Sequence, residues 1–145
     1  MSRSRISYIA VSLVILTLLA GCGYTPTDDT ARVSYEGRME QTGNGTVLTG
    51  YLYINGVEEQ GNYQNVTVSA YDRNRSVIYQ ERIGTLSANE RLNVSTTLPR
   101  STQYITFTSP DFWHEDMTVA SYCYLESEER WGFNRASSNE ELLDC

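Results

Sequence analysis

Lysine is absent from this chain of 145 residues, and histidine occurs once. All 11 basic residues are arginine, set against 18 acids. The arginines are scattered, so no basic cluster exists to neutralise a run of phosphates, and nucleic acid is excluded as a partner. The lone histidine, His114, restricts nucleophilic catalysis, because any Ser-His or Cys-His pair has to run through it. No Gly-x-Ser-x-Gly, His-Glu-x-x-His or phosphate-cradling glycine loop is present. The paired acids Glu128/Glu129 and Glu140/Glu141 stand in charged runs that read as solvated faces. Long apolar runs are missing as well. The most apolar stretch, Ile6 to Ala20, has 15 residues interrupted by Ser7, Tyr8, Ser12 and Thr17, short of the roughly 20 that a membrane-crossing helix needs.

What that stretch offers instead is an address. Arg3 and Arg5 precede it and Leu19-Ala20-Gly21-Cys22 ends it. A positive start, a short apolar core and small residues at a cut site describe a secretory signal peptide. With cysteine directly after the small pair, the segment resembles a prokaryotic lipoprotein signal, carrying its Leu-Ala-Gly-Cys lipobox unaltered. The resemblance implies that residues 1–21 are removed and that Cys22 receives a thioether-linked lipid, holding the protein to the outer face of the cell membrane. Two lipid chains, at about 0.8 kcal/mol per buried CH₂, anchor firmly where one binds marginally. Export also implies a setting in which disulfides persist.

The mature part keeps nine arginines against eighteen acids, a net charge of −9. A GC-rich genome, which favours arginine codons, accounts for the missing lysine, and a halophile accounts for the acidity as well; a halophilic archaeon satisfies both readings. Charge so far from zero favours a soluble monomer.

Residues 22–30 are polar and carry Pro26, which suits a short tether. From there the pattern alternates with period two. Val33, Tyr35, Gly37 and Met39 mark a first strand and Val47–Ile54 a second, closed by the turn signal Asn55-Gly56. Val66–Tyr71, Ser76–Ile83, Leu92–Leu98, Gln103–Thr108 and Thr118–Leu125 follow. Seven short strands between polar turns predict an all-β chain, an immunoglobulin-like antiparallel β-sandwich over residues 31–125. Residues 126–145 read as a tail packed on or stapled to it, with a short helix at Ser138–Leu143 capped by Ser138 and Glu141. The run Val66-Thr-Val-Ser-Ala-Tyr-Asp72, then Val77-Ile-Tyr79 and Ile83 to Leu92, resembles small immunoglobulin-like exported modules of the FxLYD type. The likeness spans roughly residues 45 to 110, and Arg75 stands where that pattern carries glycine. It implies a binding or spacer module.

Beyond Cys22, two cysteines remain. An even pair in an exported protein predicts a disulfide between Cys123 and Cys145, with Cys123 facing the core. Four glycosylation sequons start at Asn44, Asn65, Asn74 and Asn93. In two of them the middle residue is a core-facing valine, which turns the asparagine and the hydroxyl to solvent. The knot Asp111-Phe-Trp-His-Glu-Asp116 offers His114, Glu115 and Asp116 as metal ligands. Consecutive extended residues point to opposite faces, however, so a loop with Phe112 and Trp113 plugging the sandwich end is expected, with neither metal nor cofactor. Tyr51 with Tyr53, and Tyr122 with Tyr124, lie two apart and share a sheet face, as cross-strand pairing favours. Such a face also suits carbohydrate or a protein partner. The expectation is a lipid-anchored, non-catalytic binding or structural module. An accessory subunit of a membrane complex and, more remotely, a small hydrolase are the alternatives.

Overall fold

The computed structural model describes residues 31–56, 61–114 and 117–145; the signal segment, Cys22, the tether and the pair Glu115/Asp116 lie outside the described residues. Alternating apolar residues form eight strands: β1 (Arg32–Thr42), β2 (Gly45–Asn55), β3 (Asn62–Tyr71), β4 (Val77–Ser87), β5 (Leu92–Leu98), β6 (Tyr104–Thr108), β7 (Thr118–Leu125) and β8 (Arg130–Ala136). All seven strands expected from the alternation are there. The eighth falls in the segment assigned to the tail, so the sandwich runs to Ala136 and the tail proper begins at Ser137. Its turn, Glu126-Ser-Glu-Glu129, holds no glycine, asparagine or proline, and Glu129 itself takes the left-handed conformation at φ 50°. A charged run masks a hairpin.

The ladder runs β4-β3-β6-β7-β1-β2-β5, with β8 added to the other edge of β7. Strands β1, β2 and β5 make one layer; β4, β3, β6, β7 and β8 make the facing one. They are joined where Arg32 and Val33 pair in parallel with Thr118 and Val119, and every other pairing is antiparallel. On the far side β4 meets β5, where the Tyr79 hydroxyl lies 2.9 Å from Thr96 Oγ1. The result is a nearly closed immunoglobulin-like sandwich.

Its core is filled by Leu48, Leu52, Val94 and Leu98 from the first layer and Val66, Val68, Ile105 and Phe107 from the second, all essentially without solvent contact. Each such aliphatic or phenyl side chain contributes about 1.5–3 kcal/mol by leaving water. One end is stoppered by α1 (Pro110–His114). Ser109 starts it, accepting the Asp111 N–H at 3.2 Å while its own hydroxyl donates to the Gln64 carbonyl at 2.7 Å. Phe112 is fully buried against Tyr63, with ring centroids 5.4 Å apart, and the half-buried Trp113 packs on the same core. The aromatic knot is thus a plug, as expected, wound into one helical turn. No helix among the described residues is long and apolar enough to cross a membrane.

The tail returns along the outside. Its helix is a single 3-10 turn, Asn139–Glu141, shorter than the sequence suggested. Ser138 makes no side-chain cap, whereas the Glu141 carboxylate accepts the Ser137 N–H at 2.7 Å. Asn134 Nδ2 donates to the Glu141 carbonyl at 2.9 Å. Cys145 pairs with Cys123 as a disulfide, with Cα atoms 6.2 Å apart. Cys123 is buried, but on the side of β7 shared with Tyr104 and Gly132, opposite Tyr122, whose cross-strand partner is core Ile105. The stapled tail, rather than the core, covers it.

Candidate binding cleft

Strand β1 pairs with β7 for only two residues and then runs on with β2 alone. Beyond Ser34 the three-stranded layer therefore ends at β1, while the five-stranded layer continues sideways through β7 and β8. The overhanging face is aromatic. Tyr122 and Tyr124 of β7 stand beside Phe133 and Trp131 of β8 in direct cross-strand register. The step between the layers is a cleft of about 720 Å³, floored by Tyr35, Met39, Tyr122, Tyr124 and Trp131 and rimmed by Glu40, Gln41, Glu129 and Arg130.

Each aromatic group has a structural reason for its position. Tyr35 lies stacked on core Phe107 at 5.2 Å and bends along its own strand, donating its hydroxyl to the Arg38 carbonyl at 2.9 Å. It fills the space left by two glycines facing each other across β1 and β2. A Cβ built on Gly37 would sit 2.8 Å from that hydroxyl and one on Gly50 2.9 Å from it, and both would also strike opposing backbone. Tyr122 meets Tyr35 edge-on at 6.1 Å, Phe107 at 6.5 Å and Phe133 at 5.9 Å. Burial, and then charge on Tyr35 or Tyr53, pushes the Tyr122 phenol from 10.0 up to about 12, so this ring stays neutral at any physiological pH. Burial likewise raises Tyr35. Tyr124 packs on Trp131 at 5.3 Å, and its backbone is tied to Gln103 by bonds of 2.9 Å and 2.6 Å. Trp131 Nε1 is shielded from solvent and has no acceptor among the described residues.

Around the mouth the charges are partly paired. Arg130 bonds the Glu128 carboxylate and Arg38 lies 4.0 Å from Glu40. A second, polar hollow of about 390 Å³ adjoins the first through Gln41 and Tyr124 and reaches Asp72, Asn74 and Arg100. Arg73 there pairs with Glu126.

The residues singled out in the sequence divide between this cleft and the rest of the surface. Tyr122 and Tyr124 are in the cleft. Tyr51 and Tyr53 pair at 5.9 Å on the outer side of β2, where the Arg91 guanidinium sits 4.3 Å above the Tyr51 ring. Asn44, Asn65, Asn74 and Asn93 are all exposed. Val66 and Val94 are buried between the sequon residues as expected, and Asn93 and Ser95 both face water. Thr46, the hydroxyl residue of the Asn44 sequon, is buried. His114 is exposed on α1, at the pole where β1 begins, and the described residues hold no cluster of three metal-ligating side chains.

Tyr35, Met39 and Trp131, and Phe133 on the same face beside the cleft, carry no site signal in the sequence. Trp131 and Phe133 alternate with Gly132 and Asn134, which is a strand signal, but the acidic run before them resembled the start of a tail. No protein-family model, curated protein or solved structure matches the chain.

Proposed function

We propose that this protein is a lipid-anchored, non-catalytic binding module at the outer face of the cell membrane, and that the aromatic cleft between β1 and the β7–β8 hairpin is its binding surface. The observation that carries this reading is the overhang: Tyr124 and Trp131 line the cleft beyond the opposite layer, and Phe133, paired with Tyr122, continues the same sheet face beside it. Phe133 is 59 % exposed in a chain whose other phenylalanines are fully buried. Contiguous exposed aromatic surface is costly to keep in water and marks recognition sites. Two local departures from stable structure sit at the same place, the indole N–H of Trp131, which has no acceptor among the described residues, and the left-handed Glu129. Such departures gather where function competes with stability.

The anchor rests on Leu19-Ala20-Gly21-Cys22. The geometry is compatible with it. Ala31, whose carbonyl accepts the Thr118 N–H at 3.1 Å, marks the pole at which a preceding tether attaches. The cleft lies along the other half of β1, from Tyr35 to Gln41, so a membrane-held domain would present it outward.

The test has two readouts on protein taken from its native membrane. Mass spectrometry of the mature chain should find lipid on Cys22 as the first residue; an unmodified N-terminus ahead of Cys22 overturns the anchor. Crosslinking capture from intact cells should recover a partner with wild type and lose it with Trp131→Ala. Equal capture by both removes the cleft from the function.

A further inference from the structure

We infer that the cleft takes an extended polypeptide segment of a partner protein, which adds as a fourth strand beside β1. The inference rests on the binding-module reading above and names its ligand class.

It starts from the backbone. The β1–β2 hairpin closes at the pair Thr42/Gly45 around a two-residue turn. In such a hairpin the closing pair exchanges both backbone bonds, and the pattern then alternates. The N–H and C=O groups of odd-numbered β1 residues therefore point away from β2. Two contacts agree with this parity: the Ala31 carbonyl accepts from Thr118 on the β7 side, and the Tyr35 carbonyl faces the Tyr122 hydroxyl at 3.4 Å. Gly37, Met39 and Gln41 follow with the same orientation, and no strand pairs with that edge among the described residues. These odd residues also line the cleft. An open hydrogen-bonding edge and an uncovered apolar face thus meet along one line.

The layers say why a strand fits. Three strands face five, and the uncovered width is the β7–β8 overhang. A strand added at the ordinary spacing of about 4.8 Å from β1 would lie over Tyr124 and Trp131, as β1 already lies over β6. The open stretch from Tyr35 to Gln41 spans roughly 20 Å, enough for about seven extended residues. Alternate side chains of the guest would point down onto the aromatic floor, and the others outward, which is how strand addition combines backbone affinity with side-chain specificity.

The remaining edges are poorer docks. Strands β4 and β5 meet through Tyr79 and Thr96. Strand β8 carries Arg130 and Arg135 and is crossed by the tail at Asn134, and charge on an edge discourages added strands. The rim also fixes a charge preference. Glu129 lines the cleft mouth and makes no ion pair among the described residues, while Arg130 is already bonded to Glu128. The guest should therefore be apolar at alternate positions with a basic residue near its end.

The probe is a set of synthetic nonapeptides selected from a displayed random library on the detergent-solubilised mature protein. We expect selected peptides to be apolar at every second position, and on binding to slow amide exchange at Gly37, Met39 and Gln41 but not at Arg38 and Glu40, whose amides already pair with β2. Met39→Pro deletes one outward N–H and should weaken binding about ten-fold relative to Met39→Ala, which keeps it; thermal melts confirm that both variants fold. Peptides that bind without protecting those amides overturn strand addition, whatever Met39→Pro does. Selection that yields no peptide, with an oligosaccharide array bound in a Trp131-dependent manner, overturns the proposal and leaves the binding module standing. If neither class binds and capture from cells recovers no partner, both readings fall.

Discussion

The two lateral seams of this sandwich are built from similar residues to opposite ends. At the β4–β5 seam the edges meet: the Tyr79 hydroxyl reaches Thr96 at 2.9 Å and Glu81 at 2.7 Å, and its ring packs against the core. At the β1–β7 seam the pairing lasts two residues and then parts, leaving tyrosines and a tryptophan facing a gap. A tyrosine in the first seam closes the fold. A tyrosine in the second lines a surface. The difference comes from the backbone, since β8 widens one layer and nothing widens the other.

If that contrast is right, side chains of similar size should differ sharply in what they support. Phe107 is fully buried beneath Tyr35 and Tyr122. Phe107→Ala should cost about 3–5 kcal/mol in a urea or thermal unfolding experiment. Trp131→Ala, at the half-exposed floor, should cost far less while abolishing capture of a partner. Comparable losses from both would make the cleft part of the core and remove the distinction.

The staple sharpens the comparison next. The Cys123–Cys145 link closes a separation of 22 residues, worth about 3 kcal/mol in the chain-entropy picture. Cys145→Ser should lose that amount. Because the tail lies against β7 and β8, amide exchange should accelerate there first and leave β4 and β5 little changed. Uniform acceleration would mean that the open seam has no local stability of its own to lose.

Titration tests the floor. Folding raises the Tyr122 phenol from 10.0 to about 12, so the folded state holds this proton more tightly than the unfolded chain does. That contribution is complete below pH 10 and is lost as pH rises from 10 to about 12. Allowing for solvent screening at the ring's open edge, it amounts to about 1–2 kcal/mol. Ultraviolet titration should show a late phenol ionisation, and Tyr122→Phe should remove its component near 12 and flatten the alkaline loss of stability. A single unresolved tyrosine transition would place Tyr122 in water.

Much of this architecture was legible in the alternation of residues, because a strand with one buried face must alternate. Val66, Val68 and Ala70 announced β3, and Leu92, Val94 and Leu98 announced β5. The cleft was not legible, for two physical reasons. The β8 part of its wall, Trp131, followed an acidic turn with none of the residues that usually permit left-handed backbone. Its near wall came from β1, whose alternation predicts a half-buried strand but cannot reveal that its second partner, β7, is lost after Val33. Pairing partners are long-range facts. Cys123 shows the same limit: its spacing from Val119 predicted burial correctly but assigned it to the core, because sequence does not say that a returning tail can bury a residue from outside.

The smallest expected effects come from the two turns that each seam's hairpin uses. Arg75 in the β3–β4 turn has φ 62° and Glu129 in the β7–β8 turn φ 50°, a region that costs a side-chain-bearing residue about 1 kcal/mol and glycine almost nothing. Around Arg75 the turn is otherwise well made, with Asp72 Oδ1 accepting the N–H groups of Asn74 and Ser76 at 2.9 Å each. Arg75→Gly gives up an exposed approach to Asp144 at 3.9 Å and a guanidinium 6.0 Å above the Tyr104 ring, exposed contacts of little energetic value. Each glycine substitution should therefore stabilise by about 0.5–1 kcal/mol, net of the added freedom of the unfolded chain. Where the two variants should part is binding. Glu129→Gly removes a carboxylate from the cleft mouth and should weaken peptides that carry a basic end, whereas Arg75→Gly should bind as wild type does. A gain in stability at Glu129 bought with lost affinity would show that the open seam keeps its strained turn for the ligand; equal affinity in both would mean the strain serves nothing at either end.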